Sequence, residues 1–432
     1  MTIQTSTIGI IADDLTGAND TALQFHLRGC NTQIIFDCTA LPEGNNNTQA
    51  WAINTETRNL GAEEAVKTVS NAAKVLLDSF NTEYFYKKID STLRGNIAQE
   101  SLAVLEAINW DAAIIIPAFP TEGRTTVGGY HLLKGIPLER TEFARDVYSP
   151  IYQSHIPTLL KQQIDNPDLV THIPLMTVMK GAGPILMEIQ DQIKKNKKLI
   201  TIDAVSTTDI EQIALAIEKS NYKILPCGSA GLAQAISKLW LPELTHQHIS
   251  KVIPPLPILM ISGSATNVTK TQISKLIESE EIEPYIVELT PEDVLSSPSE
   301  EIIDRITKQL AKNTPVLVYS APLEGDITKT AEYAEEVGLG TDNISGIVSD
   351  YLACLTKEII GKMSAILILV GGETSYKCCH AIESKHLQII DEVEPAIPLC
   401  LDHKAQWIVT KSGNLGVPNT LVNILKYFKK HQ

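Results

Sequence analysis

The sequence lacks an excess of basic residues, and this limits the partners that the protein can have. Its 36 lysines and arginines are outnumbered by 51 aspartates and glutamates, which gives a formal net charge of −15 at pH 7. Because nucleic-acid binding needs a basic face, we expect no nucleic-acid partner. A small anionic substrate stays compatible with this composition, since a local cationic pocket can exist on an acidic protein.

Segments that would direct the chain to a membrane or out of the cell are also missing. No apolar stretch approaches the ~20 residues of a membrane-spanning helix, and no basic region followed by an apolar run marks the N-terminus. The seven cysteines form no C-x-x-C pair, and their odd number does not suggest a disulfide framework. Reduced thiols in the cytosol are the simplest interpretation, so we expect a cytoplasmic protein without membrane contacts.

The length of the chain and the position of its prolines predict two domains. A chain of 432 residues is long for a single hydrophobic core. The segment 241–257 contains four prolines and is the best candidate for a semi-rigid linker. Strand and helix patterns alternate on both sides of it, which is typical of α/β structure. We therefore expect domains over residues 1–240 and 258–432, each a largely parallel sheet flanked by helices, with an interdomain cleft.

A polar run at residues 87–96 carries the densest set of candidate binding residues. It follows aromatic residues of strand type and precedes a segment with helical spacing, so it lies at a strand-to-helix junction, a frequent ligand position in α/β sheets. The run contains three cations, a carboxylate and hydroxyl groups: Lys87, Lys88, Asp90, Ser91 and Arg94 among them. The cations suit an anionic small molecule, and the polar groups between them suit its hydroxyls. The alternative is a capped helix start, which would not need the cations.

A second candidate group follows the first strand pattern. An apolar run at 8–12 ends in Asp13 and Asp14, and a helical pattern begins directly afterwards. One of the two carboxylates can cap that helix. The other, with Asn19 and Asp20, is then free to contact hydroxyl groups or a metal.

Two further segments extend these candidates. Arg58 follows a strand pattern at 50–55 and can either match a carboxylate bidentately or be a solvated surface residue. The segment 117–132 has too many glycines and prolines for a regular element, and we predict a functional loop there. This loop carries Arg124 and His131, and His131 is either structural or catalytic.

The second half of the chain has three junctions at which a buried strand pattern runs into glycines and hydroxyl residues. Backbone N–H groups and a helix N-terminus at such loops favour phosphate, and in a parallel sheet the three loops would meet on one edge. The junctions lie at 262–264, 371–375 and 411–413. Neither G-x-x-x-x-G-K-S/T nor G-x-G-x-x-G after a strand is present, so a P-loop enzyme and a dinucleotide dehydrogenase are unsupported.

Together these motifs resemble those of the four-carbon acid sugar kinase family over nearly the whole chain. The segments that carry the resemblance are 11–18, 88–96, 117–120, 123–124, 228–232, 262–264, 371–375 and 411–413. The resemblance implies an N-terminal sugar-acid domain, a C-terminal nucleotide domain, ATP and Mg²⁺ as cofactors, and phosphorylation of the terminal hydroxyl of a tetronate. D-threonate, D-erythronate and 3-oxo-tetronate are the candidates, and the segment 17–21 looks most like the D-threonate branch. A homodimer is a further expectation.

Carried over by position, the resemblance implies two sets of site residues. The sugar-acid set comprises Asp14, Arg58, Lys87, Lys88, Asp90 and Ser91, to which we add Arg124 from the predicted loop. The ATP set comprises Ser262, Gly263, Ser264, Gly371, Gly372, Glu373, Thr374, Ser375 and Gly413. We leave the metal ligands unassigned.

The mechanism expected from these residues is a phosphoryl transfer, which needs positioning and neutralised charge more than covalent chemistry. Arg58 and a neighbouring lysine would hold the substrate carboxylate, and Asp14 or Asp90 would accept the proton of the C4 hydroxyl. Lys88 or Arg94 would contact the transferring phosphoryl group, with Mg²⁺ on the ATP phosphates. A non-catalytic sensor of sugar acid and nucleotide is an alternative, and so is a lyase or isomerase, which would not require the glycine junctions.

Overall fold

A computed structural model describes residues 7–36, 38, 41, 48–145, 149–241, 252–320, 335 and 344–432. The chain divides into two compact units, residues 1–247 and 248–432. Both are α/β structures built on a mostly parallel sheet with helices, as the sequence predicts. Most of the predicted linker, residues 242–251, lies outside the described residues. The proposed domain boundaries and the cleft therefore stay predictions.

The first unit alternates strands and helices along the chain. Its elements are β1 (Thr7–Ala12), α1 (Leu15–His26), β2 (Thr32–Ile35), β3 (Ala50–Asn54), α2 (Ala62–Phe80), β4 (Thr82–Lys88), α3 (Ile97–Ile108), β5 (Ala112–Ile116), β6 (Arg124–Val127), β7 (Tyr130–Leu133), β8 (Ile136–Pro137), α4 (Ile156–Gln162), β9 (Val170–Ile173), α5 (Leu175–Val178), α6 (Ala182–Lys194), β10 (Leu199–Ile202), α7 (Thr207–Glu218), β11 (Ile224–Gly228) and α8 (Ala230–Trp240). The main sheet has the order β2-β3-β1-β4-β11-β5-β10-β9 with parallel neighbours. The ends of β1, β3 and β4, which precede the candidate residues, are therefore adjacent.

Apolar periodicity explains why these elements form. β5 is a continuous run of buried aliphatic residues, and every residue of β1 after Thr7 is buried, which is typical of strands covered on both faces. Apolar residues at helical spacing over 62–80 predict an amphipathic helix, and α2 has these bounds. Its buried stripe recurs every three or four residues at Ala65, Val69, Ala72 and Leu76. The stripe packs into the same core as Trp51 and other strand residues.

The prediction of an irregular loop at 117–132 was wrong from residue 124 onwards. Strands β6 and β7 begin there and form a three-stranded antiparallel sheet with the following β8. The β6–β7 turn consists of Gly128 and Gly129, whose φ angles are +59° and +77°, and two-residue turns with positive φ match the twist of hairpin strands. Both turn N–H groups donate to the carboxylate of Asp203, at 2.8 and 2.9 Å. The glycines therefore build a regular hairpin whose tip is anchored.

The second unit has a similar architecture with an antiparallel edge. Its elements are β12 (Ile258–Ser262), α9 (Asn267–Ile277), β13 (Tyr285–Leu289), α10 (Pro291–Val294), α11 (Glu300–Leu310), β14 (Val316–Ser320), α12 (Ile344–Lys362), β15 (Ile366–Val370), α13 (Gly372–Ala381), β16 (His386–Glu394), β17 (Ile397–Asp402), β18 (Trp407–Lys411) and α14 (Thr420–His431). The strand order is β13-β14-β12-β15-β18-β17-β16, and β17 runs antiparallel to both of its neighbours. None of the described helices combines the length and the apolarity that a membrane span requires.

Candidate active site

Two neighbouring strands of the first unit bring Asp13, Asp14 and Arg58 together. The guanidinium of Arg58 donates through Nε and Nη2 to both oxygens of Asp13, at 2.9 and 3.0 Å, and through Nη1 to Asp14 at 2.6 Å. The other oxygen of Asp14 caps α1 by accepting the N–H of Gly17 at 2.8 Å. A guanidinium has five N–H donors, so these three hydrogen bonds leave one N–H on Nη1 and one on Nη2 without a described hydrogen bond.

Asp90 lies in the turn after β4 and is held by surrounding donors. Its Oδ2 accepts from Nε of Arg94 at 2.7 Å and from the hydroxyl of Thr92 at 2.5 Å, and its Oδ1 accepts from Nη2 of Arg94 at 3.3 Å. The guanidinium of Arg58 lies 4.0 Å from Oδ1. Burial opposes ionisation, but Arg94 and Arg58 outweigh it and hold the pKa of Asp90 well below its usual range. Asp90 is therefore a fixed anion that is hydrogen-bonded to Arg94 and lies beside Arg58.

The two lysines at the end of β4 lie in different environments. The ammonium of Lys87 is fully buried and contacts Oε2 of Glu100, on α3, at 2.8 Å. This is the geometry of a structural ion pair, so it disfavours the predicted contact of Lys87 with substrate, which stays a prediction. Lys88 is also largely buried, and its Nζ lies only 2.8 Å from where a Cβ of Gly17 would be. Glycine at that position therefore makes room for the ammonium beside α1.

His131 positions the backbone of the same turn. One ring nitrogen, Nε2, lies 2.9 Å from the carbonyl oxygen of Ser91, and Nδ1 lies 2.9 Å from the hydroxyl of Thr126. Burial lowers the pKa of His131 to about 4, so the ring is neutral and its Nε2–H donates to Ser91. Of the two roles left open by the sequence, this geometry favours the structural one. Arg124 begins β6 and donates from Nη1 to the carbonyl of Glu122 at 2.9 Å.

Glu56 is a residue of this site that sequence patterns did not indicate. Its φ of 49° is in the left-handed region, which non-glycine residues adopt mainly where the surrounding structure imposes it. Its Oε1 accepts the N–H of Leu15 at 3.1 Å and the amide of Asn54 at 3.3 Å. Burial raises the pKa of Glu56 to about 7, and the charge of Asp14 adds to the effect. Glu56 thus connects the end of β3 to the start of α1 through backbone geometry that the sequence does not reveal.

In the second unit, the three predicted glycine junctions meet. Strands β12, β15 and β18 are parallel neighbours, so their C-terminal ends share one edge of the sheet. The N–H of Gly263 donates to the carbonyl of Val370 at 3.3 Å, and the N–H of Gly371 donates to that of Lys411 at 2.8 Å. These bonds join residues of all three junctions.

The packing of these loops requires glycine. A Cβ on Gly413 would collide with the hydroxyl of Ser264, and one on Gly263 would collide with the hydroxyl of Thr374. Gly371 has a φ of +115°, which side chains rarely tolerate. The edge is therefore lined by backbone and hydroxyl groups, which is the arrangement that phosphate-binding loops use.

The first turn of α13, which starts at Gly372, separates into inward and outward residues. The hydroxyl of Ser375 donates to the carbonyl of Gly371 at 2.7 Å and holds that loop. Glu373 is more exposed and lies 3.3 Å from the ammonium of Lys377. Ser375 therefore stabilises the conformation of the loop at Gly371.

Two buried polar groups at this edge have incomplete partners among the described residues. The hydroxyl of Ser262 is buried without a hydrogen-bond partner there. Lys411 is 1% exposed, and its Nζ donates to the carbonyl of Ser412 at 2.8 Å. Burial lowers the pKa of Lys411 to about 7. Both observations fit a site for an anionic ligand.

Comparisons with known proteins agree with this division of roles. Residues 8–236 match the family model "Sugar-binding N-terminal domain", and residues 259–421 match "Nucleotide-binding C-terminal domain". The chain is 30% identical to the D-erythronate kinase of Heliobacterium modesticaldum, over 90% of this chain and 89% of the relative. It is 29% identical to the D-threonate kinase of Salmonella typhimurium, over 98% of both chains.

A solved structure supports the fold independently. A protein of Salmonella typhimurium LT2 superposes with a TM-score of 0.80, at 22% identity, over 99% of this chain and 100% of that one. The matched domains span most of the chain in the predicted order, sugar acid before nucleotide. The chain belongs to the four-carbon acid sugar kinase family and is an ATP-dependent kinase.

Proposed function

We propose that this protein transfers the γ-phosphoryl group of ATP to the terminal C4 hydroxyl of D-threonate. The observation that carries the proposal is the network around Arg58, which combines two remaining guanidinium donors with fixed carboxylates. A tetronate presents one carboxylate and several hydroxyls, so it needs a cation beside several acceptors. D-erythronate is the second candidate, because the D-erythronate kinase of Heliobacterium modesticaldum is as similar to this chain as the D-threonate kinase of Salmonella typhimurium.

Arg58 and Lys88 are the cations best placed for the substrate and the phosphoryl group. The guanidinium of Arg58 can receive the tetronate carboxylate through its two remaining donors. No carboxylate oxygen of a described residue lies within 4 Å of the ammonium of Lys88. Arg94, by contrast, is bound to Asp90, and its Cζ lies 5.4 Å from the ring centre of Phe143. We therefore propose Lys88, before Arg94, as the contact of the transferring phosphoryl group.

The nucleotide would bind along the edge formed by β12, β15 and β18. Backbone N–H groups and hydroxyls of the three junctions would contact its phosphates, and Lys411 would neutralise charge behind them. Mg²⁺, when bound with the nucleotide, would supply positive charge that neutralises its phosphates. The described residues contain no group of three or more His, Cys, Asp or Glu side chains that could hold a metal ion.

A substrate screen tests the proposal directly. The protein would be mixed with MgATP and D-threonate, L-threonate, D-erythronate, 4-hydroxythreonine or a 3-oxo-tetronate, and release of ADP would be measured. We expect the highest kcat/KM with D-threonate and a phosphomonoester on C4 in ³¹P NMR. The 4-deoxy analogue of D-threonate is the matched control, because it can bind but offers no C4 hydroxyl.

The other outcomes separate the alternatives. A higher kcat/KM with D-erythronate would replace D-threonate by that substrate. Binding of a tetronate and ATP without ADP release from any of the compounds would favour the sensor. Turnover of a sugar acid without any binding of ATP would favour a lyase or isomerase.

A further inference from the structure

We infer that Asp20, rather than Asp14 or Asp90, accepts the proton of the substrate hydroxyl during phosphoryl transfer. This inference rests on the proposed function and deepens it. Asp20 lies on α1, six residues after the cap residue Asp14. Three lines of argument support it: Asp13, Asp14 and Asp90 already accept hydrogen bonds, Oδ1 of Asp20 accepts none from the described residues, and the surroundings of Asp20 suit a base.

The carboxylates at the ends of β1 and β4 are poor proton acceptors. Both oxygens of Asp13 accept from Arg58. One oxygen of Asp14 accepts from Arg58, and the other caps α1. Asp90 accepts from Arg94 and Thr92 through the same oxygen, and from Arg94 again through the other. Hydrogen bonds to the charged form stabilise it and reduce its basicity, so these groups hold and orient rather than accept a proton.

Asp20 differs from them because it has an unused acceptor. Its Oδ1 is buried and has no hydrogen-bond partner among the described residues. Buried polar atoms are nearly always paired, so an orphaned one in a binding site points to a missing ligand. Nε of Arg124 is buried and without a partner in the described part of the chain in the same way. A substrate hydroxyl that donates to Oδ1 of Asp20 would satisfy the carboxylate, and Arg124 lies close enough to influence its charge.

The charged and titratable groups around Asp20 come from three parts of the first unit. Lys88 and Tyr86 are on β4, Glu122 precedes β6 and Arg124 begins it, and Asp14 is at the start of α1. Burial raises the pKa of Asp20 to about 6, with Glu122 and Asp14 adding to the rise and Lys88 and Arg124 opposing it. A base whose pKa lies near the working pH is ionised and still takes up a proton readily.

The chemical step balances without any further reactant. The O–H bond of the C4 hydroxyl breaks and its proton moves to the Asp20 carboxylate, while the C4 oxygen forms a bond to the γ-phosphorus. The bond between that phosphorus and the β–γ bridging oxygen breaks, and its electron pair leaves with ADP. Asp20 then loses the proton to solvent when the products depart.

The test compares the pH profile of the wild type with that of Asp20→Asn, which keeps the shape of the side chain. For the wild type, we expect kcat/KM for D-threonate to rise about tenfold per pH unit below pH 6 and to level off above it. For Asp20→Asn, we expect kcat to fall by about 10²–10⁴-fold and the acid limb to disappear, while ATP and D-threonate bind within about threefold of wild type. Asp78→Asn, at an exposed position of α2, is the matched control and should leave the profile unchanged.

The remaining outcomes contradict either the role of Asp20 or the proposed kinase function. Asp20→Asn with near wild-type kcat would overturn the role of Asp20, and so would a wild-type profile that is flat through pH 6. Loss of the acid limb in Glu56→Gln, with the limb kept in Asp20→Asn, would transfer the role to Glu56. Asp20→Ala with added formate is a second variant, and recovery of part of kcat is expected. A wild type that phosphorylates no tetronate would instead remove the proposed function.

Discussion

The buried pair of Lys87 and Glu100 gives a prediction that separates a structural lysine from a substrate-binding one. Their side chains are 0% and 2% exposed, and Nζ lies 2.8 Å from Oε2. The same Nζ donates to the carbonyl of Lys88 at 2.8 Å. Replacing Lys87 by Met leaves a buried carboxylate without its counter-ion.

The expected loss of stability is large because both charged side chains are buried. Removing one partner of a buried ion pair costs about 3–5 kcal/mol. For a unit of about this length, each kcal/mol lowers the Tm by roughly 2–4 °C, so Lys87→Met should lower the Tm of the first unit by roughly 6–20 °C. The double variant Lys87→Met with Glu100→Met should recover most of the loss, because an apolar pair of similar volume replaces the buried charges. Recovery is incomplete, since the carbonyl of Lys88 still loses its donor.

Calorimetric Tm values and the KM for D-threonate form the assay. The control is Lys195→Met, because Lys195 and Asp191 are 2.6 Å apart but their side chains are 59% and 50% exposed. We expect no measurable change in Tm for that variant. Equal Tm values for Lys87→Met and Lys195→Met, or a double variant no more stable than the single one, would refute the reasoning. A double variant that is stable but has lost D-threonate binding would support the substrate contact of Lys87 instead.

Three further predictions concern single residues. Gly413→Ala places a methyl group against the hydroxyl of Ser264, so calorimetry should show ATP binding at least tenfold weaker and D-threonate binding unchanged. The control is Gly361→Ala, because nothing lies within 4 Å of the added methyl group there. Equal ATP affinity in the two variants would contradict ATP binding at the three glycine junctions. Lys411 has a pKa of about 7 in the folded state and about 10.5 when exposed, so the unfolded chain binds more protons between these values and stability should rise with pH there, by up to about 1.4 kcal/mol per unit. In denaturant titrations at pH 7 to 10, Lys411→Met should remove the rise of the free energy of unfolding with pH. An unchanged pH dependence in this variant would contradict the lowered pKa of Lys411. His131→Ala leaves the carbonyl of Ser91 without its donor, so it should raise the KM for D-threonate at constant ATP affinity, and an unaltered KM would show that the contact is dispensable.

The regular elements of this protein are largely readable from its sequence. Helix α2 shows its bounds through apolar spacing alone. The three glycine junctions of the second unit lie together because β12, β15 and β18 are parallel neighbours, as a parallel sheet requires. Periodicity and chain order contain this information, so the fold class and the meeting of the three junctions at one sheet edge could be predicted.

Other features depend on contacts between distant residues and could not be predicted in this way. The partner of Lys87 is Glu100, which lies one element further along the chain, and nothing in the sequence distinguishes Lys87 from Lys88. The left-handed backbone of Glu56 leaves no mark in composition. The hairpin at Gly128 and Gly129 does have a sequence signal, since a glycine pair between β-forming residues favours a two-residue turn. The prolines and glycines around it favour an irregular loop and obscure this signal.

The hairpin of β6 and β7 has buried positions that face the candidate site and exposed positions that face solvent, and protein engineering should treat the two differently. Asp203 binds the N–H groups at its tip, the buried His131 contacts Ser91 in the turn beside Asp90, and the buried Thr126 is hydrogen-bonded to the His131 ring. Val127 and Tyr130 point outward and are 41% and 49% exposed. Substitutions at Val127 and Tyr130 should therefore leave the selectivity for the sugar acid unchanged. Variant libraries aimed at new substrates should instead vary Thr126 and His131.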